Sequence, residues 1–376
     1  MVKTLSQATV ATAALLASTA YAAPTVVADI APVHALVARV LGDVALPSLV
    51  IGPGQSPHSF TLRPSQARAL EAATVVFWIG HELTPALERH IETLAADATV
   101  VALLDAPGTT LHNYRETAVF GSDGDHHEEH GHDDHGHEEH GHEEHGHEEH
   151  GHEEHGHEEH GHEEHGHEEH DHDKHPHDDH AHDEHAHDDH GHDEQAHDEH
   201  GHDHEGVDAH AWLDPENAAR WLDVIAETLS DVDPANAATY AANAVAGQAE
   251  IKALSDEIAA TLASAGDMQV VVTHDAYQYF EHRFGFAVLG AIATGDAENP
   301  SPARIATLQD AVADSGASCV FAEPQYQDTL VRTVFSGDAV SVSVIDPLGA
   351  GLEPGAALYP ALLRNLADGL AMCGHK

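Results

Sequence analysis

Three histidines stand in contexts that could do chemistry: His58 in Gly54-Gln55-Ser56-Pro57-His58-Ser59-Phe60, His210 in Asp208-Ala209-His210-Ala211-Trp212-Leu213-Asp214-Pro215, and His274 in Val270-Val271-Val272-Thr273-His274-Asp275-Ala276-Tyr277. Taken singly, a histidine at a strand end is more often a satisfied polar side chain than a ligand. Three gathered in one place are a different object, because each neutral imidazole offers a lone pair and Zn2+ takes three or four nitrogen, sulfur or carboxylate donors in a tetrahedron. The chemistry expected of this chain is therefore metal binding. His34, His81, His90, His112, His282 and His375 lack such surroundings and read as surface or core residues.

Each of the three must be delivered by an element. Apolar runs at Thr25–Ile30, Ser48–Ile51, Val75–Ile79 and Val100–Leu104 alternate with helical patterns from Val33, Pro64 and Pro85, and such alternation implies a parallel sheet covered on both faces. Parallel sheets bind ligands beyond the carboxyl ends of their strands, where His58 falls. The alternation resumes at Gln269–Thr273, Phe286–Ile292, Cys319–Phe321 and Val340–Ile345, giving four strands in each of two lobes, with a final helix over Leu358–Met372. Between the halves, Asp214-Pro215 opens one helix and Asp233-Pro234 supplies an N-cap and a first-turn proline for a longer one. The longer helix carries an apolar stripe from Tyr240 to Leu262. At about 1.5 Å per residue it spans roughly 45 Å, enough to join the lobes.

Composition limits the partners. Of 41 histidines, 32 lie between His126 and His204, many in the unit His-Gly-His-Glu-Glu, and the stretch Asp123–Glu205 holds 34 acidic residues against a single Lys174. This tract, from about Ser122 to Gly206, lacks the apolar residues that would offset the entropy of ordering and is expected to be disordered. Imidazoles interleaved with carboxylates suit weak, multiple zinc sites, whose occupancy falls as pH drops through roughly 6.5; the competing reading is an expanded solubilising repeat without a role. A formal charge of −52 makes nucleic acid an improbable partner. The amino terminus, with Lys3, a short Ala-rich apolar stretch and Ala20-Tyr21-Ala22, reads as a signal peptide cut near Ala22, and hence as export to a periplasm. Two cysteines in an exported chain, Cys319 and Cys373, read as a disulfide that adds roughly 4 kcal/mol in the chain-entropy picture; metal-binding thiols are the alternative. The expected division is 1–22 signal, 23–233 first lobe with the tract inserted, 234–265 connecting helix and 266–376 second lobe.

Five runs together resemble the metal-binding components of bacterial ABC importers, specifically the periplasmic zinc-binding ZnuA type. They are Pro57-His58-Ser59-Phe60 to Pro64, Asp208 to Pro215, His274-Asp275-Ala276-Tyr277 to Phe280, Phe321-Ala322-Glu323-Pro324-Gln325-Tyr326 and Asp346-Pro347-Leu348-Gly349. The resemblance covers the whole mature chain. It implies two (β/α)4 lobes joined by one rigid helix, zinc in the cleft between them, a monomer, and delivery to a membrane permease driven by a cytoplasmic ATPase. A histidine at 274, where manganese-binding relatives carry a carboxylate, argues for zinc. Position 57 is proline, so a glutamate ligand found there in some relatives is absent, and Asp346 becomes the candidate fourth ligand, with water its rival. Glu323 is expected to act behind a ligand, and Trp212 and Tyr277 to wall the site.

Two other classes fit part of this pattern. A three-histidine site with an open position is also that of a zinc hydrolase, but no nucleophile motif or phosphate-binding loop accompanies it. A zinc store accounts for the tract and leaves the three separate histidines without a purpose.

Overall fold

A computed structural model describes residues 23–374 apart from 116, 121–205, 267, 294–299, 318, 326–330, 333 and 336–339. The signal peptide and nearly all of the histidine-rich tract, with the expectations placed on them, lie outside the described residues.

The first lobe is built from β1 (Val26–Ala28), α1 (Ala31–Leu41), β2 (Ser48–Leu49), α2 (Pro64–Glu71), β3 (Val75–Trp78), α3 (Pro85–Leu94) and β4 (Thr99–Ala102). Its strands run parallel in the order β2-β1-β3-β4. β1 and β3 are apolar throughout and fully buried, as strands covered on both faces must be. Each helix of this lobe has proline in its first turn, where a missing N–H costs nothing.

Two helices follow. α4 (Pro215–Val232) is capped by Asp214, whose carboxylate accepts from Glu216 N at 2.9 Å. α5 (Ala237–Ala265) follows a 3-10 turn over Pro234–Asn236. The expected N-cap at Asp233 is not made: that carboxylate accepts instead from Asn236 Nδ2 at 2.7 Å and the Tyr240 hydroxyl at 2.8 Å, holding the turn from within. Buried residues from Tyr240 through Ile251 and Ile258 to Ala265 recur at helical spacing along α5. They let it pack on α1 and α4 of the first lobe and on helices of the second.

The second lobe repeats the plan with β5 (Gln269–His274), α6 (Gln278–Phe284), β6 (Ala287–Ala293), α7 (Pro302–Ser315), β7 (Cys319–Ala322), β8 (Ser341–Val344) and α8 (Leu358–Gly374). Its strands are parallel in the order β6-β5-β7-β8, the same permutation as in the first sheet. The fold is therefore the α/β one expected, with two parallel sheets joined by a long helix. Cys319 of β7 and Cys373 of α8 are disulfide-bonded, with Cα atoms 6.1 Å apart.

One connection has no counterpart in the sequence reading. After β4 the chain crosses to the second lobe, where Val119 pairs antiparallel with Gly290 of β6 before the tract begins. On its return, Val207 pairs antiparallel with Asn113. The chain thus leaves the described body from the β6 edge and re-joins it beside Asn113.

Candidate metal centre

His58 sits in the loop after β2, its backbone N donating to Ser56 Oγ at 3.2 Å. His210 precedes a 3-10 turn over Ala211–Leu213 that leads into α4, and His274 is the last residue of β5. These elements bring the three imidazoles together: ring centroids are 5.7 Å apart for His58 and His210, 6.4 Å for His58 and His274, and 5.2 Å for His210 and His274. One nitrogen from each falls within 4.8 Å of the others. His210 and His274 are buried and His58 is half-buried.

The hydrogen bonds behind the rings decide which nitrogens face the cleft. His210 Nδ1 meets Asp208 Oδ1 at 2.7 Å, and His274 Nδ1 meets Glu323 Oε1 at 2.8 Å. A carboxylate accepts only, so each Nδ1 carries the proton and each Nε2 is left with a lone pair. Those two Nε2 atoms are 3.3 Å apart. Two ligands about 2.0–2.1 Å from a tetrahedral zinc ion are themselves roughly 3.3–3.4 Å apart, so this spacing is already that of one edge of a zinc shell. Asp208 also accepts from the His210 backbone N at 3.0 Å, which fixes the turn as well as the ring. Burial first, and then the Asp208 charge, push the Tyr279 hydroxyl above its ordinary range, keeping it a donor to the Asp208 carbonyl at 2.7 Å.

The cavity in front of the histidines is walled by Pro57, Trp212, Pro347 and Leu348, with Glu323 and Gln325 as its other polar residues. Apolar walls exclude water and strengthen every charge interaction inside. Trp212 is locked across the lobes, its Nε1 donating to Pro347 O at 2.9 Å and its carbonyl accepting from the Tyr359 hydroxyl at 2.8 Å. Tyr277, expected as a second aromatic wall, is buried but does not line this cavity.

Asp346 is placed differently from the expectation. Its Oδ1 accepts from Leu348 N and Gly349 N, each at 3.0 Å, and from Gln325 Nε2 at 3.1 Å, while Oδ2 accepts from Ala350 N at 2.5 Å. It caps the turn after β8 and stands outside the group of three ligand atoms. Gly349, at φ 71°, supplies the left-handed residue the turn needs. Asp208 and Gln325 are the site residues that the sequence reading passed over. An acid two residues before a ligand histidine was a usable signal for the first; the second carried none.

Residues 26–373 match the family model described as "Zinc-uptake complex component A periplasmic", ZnuA. The chain is 43% identical over 351 residues to the "High-affinity zinc uptake system protein ZnuA" of Paracoccus denitrificans, covering 93% of this chain and 91% of that protein. It is 41% identical to the protein of the same description from Brucella suis, covering 93% and 92%. Among solved structures, "Crystal structure of 138-173 ZnuA deletion mutant plus zinc bound" superposes with a TM-score of 0.63 at 18% identity, over 94% of this chain and 98% of that one. At that identity the likeness shows the fold.

Proposed function

The chain belongs to the ZnuA family of periplasmic zinc-uptake components, and on that premise we propose that His58, His210 and His274 hold the transported Zn2+ through one nitrogen each. Membership makes the protein a non-catalytic, zinc-binding part of an uptake system that works with a cognate ABC permease and ATPase. The observation that carries the ligand assignment is the 3.3 Å Nε2 to Nε2 spacing, with a carboxylate behind each ring. In this arrangement the fourth vertex belongs to water. Asp346 takes it only if the turn over residues 346–350 opens and surrenders its backbone hydrogen bonds.

The His210 and His274 rings are held in one tautomer by Asp208 and Glu323, so their part in capture needs little reorganisation. The two negative charges behind the imidazoles raise their basicity toward the ion. The histidine-rich tract serves as a low-affinity collector tethered to the same body, raising the local zinc concentration. Handoff to the permease then empties the cleft. The signal peptide is removed near Ala22 on export.

The test is a competitive zinc titration of the mature protein lacking residues 126–204, alongside the same protein with His274→Ala. One tight site is expected, weakened on the order of 10^3-fold by the substitution. Absence of any tight site without the tract would make the tract the zinc binder and storage the function.

A further inference from the structure

The segment between β4 and the tract does not stay with its own sheet. Phe120 N donates to Leu289 O at 2.8 Å and Ala291 N donates to Ala118 O at 3.3 Å, laying residues 118–120 along the free edge of β6. Gly290 makes this approach feasible: a Cβ there would lie 2.2 Å from Ala118 O, so even alanine would expel the segment. Farther back, Arg115 reaches the second lobe with its whole guanidinium. Nε donates to Asp275 Oδ2 at 2.8 Å, Nη2 to Asp275 Oδ1 at 2.5 Å and Nη1 to Glu281 Oε2 at 2.8 Å. The ring of Phe120, from the same segment, backs the guanidinium at 3.8 Å.

The carboxylate that Arg115 grips follows His274 in the chain and is 4% exposed. A second strand of contacts runs to the other buried histidine. His112 N donates to the Tyr279 hydroxyl at 3.0 Å, which donates in turn to the carbonyl of Asp208, the residue whose carboxylate holds His210 Nδ1. The segment therefore touches the residue that follows His274 and, through Tyr279, the residue that holds His210.

We propose that residues 112–115 and 117–120 form an inter-lobe latch, and that Arg115 is a positioning residue for the metal centre, acting through Asp275 on His274, so that the latch sets the rate at which bound metal leaves. The proposal rests on the three-histidine reading. The physical argument is twofold. Without its guanidinium the buried Asp275 carboxylate has lost its charge partner, and it must move toward water, taking the end of β5 with it. Release also requires the loop bearing His58 and the strand bearing His274 to part, and the latch, anchored on the β6 edge, resists that parting. Its docking further depends on Gly290, which pairs with Val271 of the strand ending in His274 but is itself no ligand, so the latch can be disturbed with every ligand side chain kept.

The test uses the full mature chain loaded with one equivalent of Zn2+ and mixed with excess chromogenic chelator in a stopped-flow instrument. The cleft phase is identified as the one missing from His274→Ala. Arg115→Met and Gly290→Val are each expected to accelerate that phase at least tenfold, with Arg115→Lys between them and the wild type, since a point charge replaces only part of a two-pronged grip. Adding Asp275→Asn to Arg115→Met is expected to restore part of the lost residence time, because it removes the stranded charge. Arg115→Lys, the mildest change, decides the matter if Arg115→Met does not fold: a wild-type rate there counts against the Arg115 role. Unchanged dissociation in Arg115→Met and Gly290→Val overturns the latch. Acceleration in Gly290→Val alone removes Arg115 from it. If the wild type has no phase that His274→Ala abolishes, it is the ligand assignment that has failed.

Discussion

The two sheets share one strand order but use the end of their first strand differently. In the first lobe, β1 runs into Asp29, which is fully buried and turns its carboxylate inward, accepting from Ile30 N and Ile79 N at 2.7 Å each. In the second, β5 runs to His274, whose Nδ1 is held by Glu323 at the end of β7. Both ends bind a neighbouring strand. The first spends its polar atoms on backbone N–H groups and has none left for a ligand, whereas the second binds through one ring nitrogen and turns the other to the cleft. The same scaffold becomes structural or functional according to whether the residue at the strand end has a second donor atom to spare.

Removing each support should therefore damage different properties. Asp29→Ala leaves two buried N–H groups unsatisfied and should cost roughly 2–5 kcal/mol in denaturant unfolding of the metal-free protein at pH 6, with zinc affinity changed less than threefold. An affinity loss as large as the loss at Glu323 would break the comparison.

Burial pushes Asp29 up to about 7, against the pull of its backbone hydrogen bonds. The folded protein then holds a proton that the unfolded chain has released between about pH 4 and 7. This contribution is fully present below pH 4 and is lost as pH rises through 7. Wild-type stability should accordingly fall by up to roughly 2–4 kcal/mol relative to Asp29→Asn between pH 4 and 8 in urea melts. A flat difference would mean that Asp29 is ionised throughout.

Glu323→Gln should reverse the pattern of Asp29→Ala, weakening zinc 10–100-fold in competition titrations with unfolding stability nearly unchanged. Asp208→Asn sharpens the contrast. It should weaken zinc by about the same factor and, because Asp208 also holds the His210 backbone N, cost some stability too. The smallest effect concerns neither strand end: removal of residues 126–204 should shift unfolding of the metal-free protein by less than about 1 kcal/mol while abolishing weak zinc uptake in equilibrium dialysis.

Much of this architecture was legible in the residues. Strands buried on both faces must be unbroken apolar runs, and Val75–Trp78 or Val270–Thr273 can hardly be anything else in a chain this polar elsewhere. His58 and His274 stood out because each follows such a run, and His210 because ordinary globular sequence resumes around it directly after the histidine-rich tract. Asp346 was ambiguous for a physical reason. A carboxylate followed by Pro-Leu-Gly reads alike whether it faces an ion or caps the turn, and the backbone N–H groups of that turn competed for it. The latch was invisible because its pairing is with a strand edge far along the chain. Its buried apolar anchor, Phe120, belongs to no periodic run, and the glycine that admits the segment has no signature of its own.

The bridge between Asn113 and Val207 has a genetic consequence. Because it holds Val207 against Asn113, the chain re-enters the folded body at the same place however many copies of His-Gly-His-Glu-Glu precede it. Closing a flexible chain costs only about 0.6 kcal/mol more for each doubling of its length. Replication slippage can therefore add or delete repeat units almost free of any penalty to folding, and copy number in this stretch is open to rapid change.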